Sequence, residues 1–162
     1  MADWLKILIS ALAGLLVGLL SEPLRSWISS KLKERVMRKA LYRSMADLYG
    51  FFSSGQEPTR RQQYPVAFIE ANLDIFDHYS STDTGTFYRL SEAPFIKTFF
   101  QLARKTFDEL PQQTGIESEA AVRAILFSLE SGIQFGAINS KRISKLLSKG
   151  PSWRGIPGTG TG

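Results

Sequence analysis

From Ile7 to Leu20 the chain carries hydrocarbon or glycine at every position except Ser10. A membrane-spanning helix takes about 20 mostly apolar residues. The uncharged core here is 14 residues long, so the span is short. Trp4 at headgroup level, a snorkelling Lys6 and local thinning of the bilayer extend its reach. The pattern predicts a transmembrane anchor over residues 1–21. A cleaved signal peptide and a buried core helix compete with it. Asp3 ahead of Lys6 and the poor cleavage context of Ser21-Glu22-Pro23 count against the signal peptide, although Ala11-Leu12-Ala13 is a weak cleavage candidate. Ser10, Gly14 and Gly18 recur every four residues, the spacing that lets helix backbones meet closely in lipid. That row predicts self-association through the anchor.

Ser21-Glu22-Pro23 has the chemistry of a helix start, and a second helix is expected from about residue 22 to 52. Its apolar positions form two rows. Leu24, Ile28, Leu32 and Val36 alternate with basic residues. Met37, Leu41, Met45, Leu48 and Phe52 form a cleaner stripe, turned by roughly a third of a revolution. The first row reads as a juxtamembrane segment and the second as the first helix of a soluble core, together one long connecting helix, with a distinct lipid-sensing segment as the less favoured alternative.

Residues 53–64 are a polar loop. Pro65 opens a helix to about Tyr79, with Phe68, Ile69, Leu73, Ile75, Phe76 and Tyr79 on one face and Asn72 among them. A buried amide needs partners, so Asn72 is expected to bond across to a neighbouring helix. Ser80 to Thr86 reads as a loop, and Phe87 to Leu90 is too short to assign. Ser91-Glu92-Ala93-Pro94 starts the most strongly amphipathic helix, to about Leu110, with Phe95, Ile96, Phe99, Phe100, Leu102, Ala103, Phe107 and Leu110 inward. A further helix is expected from about Glu117 to Ile138. It has a stripe of Val122, Ile125, Leu126, Leu129 and Ile133 and a small-residue row of Ser128, Gly132 and Gly136. Asn139-Ser140 starts a short basic helix, Lys141 to Lys149. Residues 150–162 are too polar and glycine-rich to bury a core and read as a disordered tail, with Trp153 as a docking anchor for a partner or for its own domain. The fold class is all-α: one N-terminal transmembrane helix, a long basic helix and a small cytoplasmic helical bundle, the last two spanning residues 22–149.

Charge gives the expected orientation. Residues 22–43 hold seven bases (Arg25, Lys31, Lys33, Arg35, Arg38, Lys39 and Arg43) against Glu22 and Glu34, a surplus equal to the whole chain's +5. Basic residues beside a span mark the cytoplasmic side, so the N-terminus is expected outside and the domain in the cytoplasm, at the inner (cell) membrane. Arg25, Lys31, Lys33, Arg35, Arg38 and Lys39 are the expected contacts to anionic lipid headgroups. No nucleic-acid module stands beside them, which disfavours nucleic acid as a partner.

The chain has no Cys and one His. This removes disulfides, thiol catalysis, a lipoprotein cysteine and His-pair metal sites. No nucleotide loop and no G-x-S-x-G elbow occurs. Glu70, Asp74 and Asp77, with His78 beside them, are the one constellation resembling a cation site, but their spacing matches no zinc or calcium motif and a solvated acidic face is the commoner reading. No cofactor and no enzymatic activity are expected. The leading function is a membrane-tethered interaction or sensing module with a cytoplasmic protein partner. The alternatives are a membrane-acting effector of phage-defence or toxin type, assembled through Ser10, Gly14 and Gly18, and a cation-dependent enzyme at the acidic cluster. In plan the chain resembles small bacterial proteins with one N-terminal span and a cytoplasmic helical domain.

Overall fold

The computed structural model describes residues 2–53, 66–109 and 115–149. Every regular element among them is a helix: α1 Ala2–Phe52, α2 Val66–Thr82, α3 Thr84–Phe87, α4 Ala93–Glu109, α5 Gly115–Gln134 and α6 Ser140–Ser148. The expected loop over most of 53–64 and the tail with Trp153 lie outside the described residues. The chain divides into two compact units, Met1–Val36 and Met37–Gly162.

In the first unit α1 runs without interruption through Ser21-Glu22-Pro23, where a second helix start was expected. Instead of capping a new helix, the Ser21 hydroxyl donates back to the Gly18 carbonyl at 2.9 Å, and Pro23 sits in the helix interior. A serine bonded to its preceding turn keeps the helix going while loosening it. The missing Pro23 N–H removes one rung of the ladder without ending it.

The second unit buries one core. Met37, Leu41, Met45, Leu48 and Phe52 are all buried, as their stripe implies, and Tyr42, Ala46 and Phe51 join them. Around this part of α1 pack Ile69, Leu73 and Phe76 of α2, Ile96, Phe99, Phe100 and Ala103 of α4, Val122, Ile125 and Leu129 of α5, and Ile143 of α6. Phe76 and Phe100 stack with centroids 4.8 Å apart. The stretch expected as a loop after Tyr79 is largely helical. α2 continues to Thr82, and α3 places Phe87 fully in the core.

Asn72 is buried, but its amide donates to the Phe68 carbonyl of its own helix at 2.9 Å. The preceding turn supplies a partner within reach, so no bond to a neighbouring helix is needed. α5 ends four residues sooner than expected, because Gly136 takes a left-handed φ of 71°. Its N–H donates to Ile133, and Ile138 N–H reaches back to Gly132, a glycine-capped closure of the last carbonyls. Gly132 itself marks a close approach. A Cβ there would lie 2.7 Å from Ile138 Cδ1 and 3.4 Å from Phe95 Cδ1. α6 begins as its sequence predicts, with the Asn139 side chain accepting from Arg142 N–H. The Asn139 backbone N–H donates to the Tyr42 hydroxyl at 3.0 Å, and the Arg142 guanidinium lies over the Tyr42 ring.

Candidate membrane anchor and basic segment

α1 is the one helix among the described residues long and apolar enough to cross a membrane, and none of its most apolar window is buried. Trp4, Ile7, Ile9, Leu12, Leu15, Val17 and Leu19 are each more than half exposed. At ~3.6 residues per turn these positions spread around the helix rather than along one stripe. A helix that is apolar on every side belongs in a protein core or in lipid. Ser10, Gly14 and Gly18 share a face of this helix. They too are exposed, with nothing within 4 Å of where a Cβ would stand on either glycine.

Past Pro23 the apolar row continues in another setting. Leu24, Trp27, Ile28, Leu32 and Val36 are all more than half exposed. Arg25, Lys31, Lys33 and Arg35 are exposed between them, and Lys31 pairs with Glu34 at 3.1 Å. Lys39, in the second unit, is exposed as well. Arg38 is placed differently from the other five bases expected at lipid headgroups. Its Nε donates to Glu92 Oε1 at 2.5 Å, and the Glu92 side chain is 5% exposed. Burial works to raise the Glu92 pKa. The hydrogen bonds from Arg38, from its own backbone N–H and from Ser91, with the Arg38 charge, outweigh burial and hold it below the ordinary carboxylate value. This ion pair ties α1 to the residue just ahead of α4.

The acidic constellation is only partly assembled. Asp77 accepts a hydrogen bond from Arg104 of α4, whose guanidinium also lies 3.8 Å from Asp74. Glu70 is exposed, and His78 is exposed with its ring edge-on to Tyr79. Among the described residues no group of three or more His, Asp or Glu side chains is arranged to hold a metal ion. The cation that Asp74 and Asp77 face is the protein's own.

One surface feature escaped the sequence. Pro94, Phe95, Thr98 and Leu102 of α4 and Ala124, Phe127, Ser128 and Ser131 of α5 line an apolar groove. Phe127 is 69% exposed and Phe135, beyond the end of α5, 77%. The available signal was that Phe127 falls off the inward stripe of α5, where a phenylalanine has no core to enter.

No protein-family model matches this sequence, and no curated protein and no solved structure matches it.

Proposed function

We propose that the chain is a single-pass membrane protein whose helical domain, held at the cytoplasmic face, acts as a non-enzymatic interaction or sensing module. The observation that carries this reading is the exposure of Trp4, Ile7, Ile9, Leu12, Leu15, Val17 and Leu19, which spread around α1 rather than along one stripe. Lipid removes that surface from water, and at roughly 25 cal/mol per Å2 of apolar area this is a large gain. The exposed bases that follow suit anionic headgroups and support a cytoplasmic domain. Tethering raises the effective concentration of the domain near the membrane without any new contact.

Topology tests it. A reporter active only in the cytoplasm and one active only outside it are fused separately after Gly150, with alkaline extraction and chain length checked in the same cells. Cytoplasmic activity from a full-length, extraction-resistant chain is the expected result. Outside activity from a chain that has lost residues 1–21 overturns the reading in favour of a secreted domain.

The open row of Ser10, Gly14 and Gly18 favours a second reading, a membrane-acting effector that assembles through α1. It expects depolarisation on expression, abolished by Gly14→Leu. Unchanged membrane crosslinking in both Gly14→Leu and Gly18→Leu defeats lateral assembly through this face.

A further inference from the structure

We infer that residues 24–36 form a second, separate membrane contact, lying along an anionic lipid surface. The inference rests on the reading of α1 as an anchor. At ~100° per residue, Leu24, Ile28, Leu32 and Val36 and the bases Arg25, Lys31 and Arg35 fall within about 140° of the helix circumference. Around that arc the order is Lys31, Leu24, Arg35, Ile28, Leu32, Arg25, Val36, so charge and hydrocarbon interleave. The row Ser26, Ser30 and Glu34 runs on the other side and holds the one acid of the segment, in line with Glu22 just ahead of it. Lys33 lies on that side too, and Lys31, at the edge of the arc, pairs with Glu34.

Four aliphatic side chains more than half exposed on one face call for a cover. Charge chooses it. A second copy of the chain would bring Arg25 and Arg35 against their own kind, a like-charge contact. Phosphate-bearing headgroups instead accept the guanidinium groups while the aliphatic groups enter below them. The sharp turn this requires has a place in α1. Pro23 lacks the N–H that would bind the turn before it, and the Ser21 hydroxyl already bonds the Gly18 carbonyl. Kinks in helices concentrate at such positions. The segment then senses surface charge, lying down on an anionic bilayer and lifting from a neutral one.

Because the chain lacks Cys, single cysteines report position directly. Ile28→Cys, Leu32→Cys, Ser26→Cys and Leu12→Cys are each spin-labelled in the full chain. The chain is reconstituted in vesicles of phosphatidylcholine, alone or mixed with phosphatidylglycerol. Accessibility to oxygen, which partitions into lipid, is compared with accessibility to a water-soluble nickel chelate. The expected result is a several-fold rise in the oxygen-to-nickel ratio at positions 28 and 32 on adding phosphatidylglycerol. Position 26 stays aqueous, and Arg25→Glu with Arg35→Glu abolishes the rise. Aqueous labels at 28 and 32 beside a lipid-embedded label at 12 overturn this inference and leave the anchor standing. Labels at 28 and 32 shielded from both reagents in both lipids mean that a second copy covers the face, and also overturn it. An aqueous label at 12 removes the anchor and this inference together.

Discussion

Arg38 and Glu92 meet across 54 residues of sequence, the guanidinium Nε donating to a carboxylate that is almost wholly enclosed. Removing Arg38 strands a buried charge, whereas removing Glu92 frees an arginine that is about one-third exposed and can turn to water. Arg38→Met is therefore expected to cost more than Glu92→Gln, by up to about 3 kcal/mol, the low end for breaking a buried pair. The Glu92 pKa lies below its ordinary value, so its contribution is complete above the unfolded-state pKa of roughly 4.3. It drains away as pH falls from there through the folded value. Denaturant midpoints measured from neutral pH to pH 3 should fall in the wild type and flatten in Glu92→Gln.

At alkaline pH two tyrosines govern the response. Burial raises the Tyr42 pKa, against the lowering effect of the Asn139 N–H. Burial and the hydrogen bond to Glu130 raise that of Tyr49. Both raised values mean stability that is full below the ordinary tyrosine pKa of about 10 and is lost as pH rises through the folded values. Ultraviolet titration should show two late phenols in the folded protein, one missing in Tyr42→Phe. That variant also deprives the Asn139 N–H of its acceptor, at about 1 kcal/mol, and hydrogen exchange in α6 should quicken first.

Gly132→Ala sets two effects against each other. Helix propensity favours alanine by about 1 kcal/mol, but the new methyl meets the Ile138 side chain at 2.7 Å in a buried site. Overpacking of this kind costs about 1–3 kcal/mol, so a net loss is expected. Ile138→Val removes the offending Cδ1. A double-mutant cycle should show the pair less damaging together than the sum of the single changes, by at least ~0.5 kcal/mol.

Calcium, magnesium, zinc or a chelator should leave the melting temperature unchanged. Arg104 already faces Asp74 and Asp77, and a partly exposed pair of this kind is worth less than about 1 kcal/mol. Asp77→Asn should shift stability only within that limit. A metal-dependent rise lost in Asp77→Asn would restore the cation-site reading.

What was legible in the chain was local and periodic. The shift from the Leu24–Val36 row to the Met37–Phe52 stripe marks the place where exposed side chains give way to buried ones, and the two units divide there. The inward face of α4 and the Asn139 cap were also readable, because hydrophobic period and capping act within a few residues. Three kinds of feature were not. Pro23 suits the first turn of a helix as well as a tolerated interior position, and only the Ser21 back-bond separates the two. Asn72 could bond sideways or within its own helix, a choice that geometry makes. Arg38 looked like its neighbours because its distinguishing partner lies 54 residues away. The acidic face of α2 was visible, but Arg104, 27 residues beyond Asp77, was not readable as its counterion.

The core half of α1 also bears on how the chain is made. Its partners come from far along the sequence: Tyr42 waits for Asn139, 97 residues later, and Tyr49 for Glu130, 81 residues later. During synthesis Met37, Leu41, Met45, Leu48 and Phe52 emerge from the ribosome long before α4, α5 and α6 exist to cover them. The domain therefore closes only after α5 and α6 have been made. Until then this stripe lacks its cover, and a stall between α2 and α5 would leave it open to chaperones.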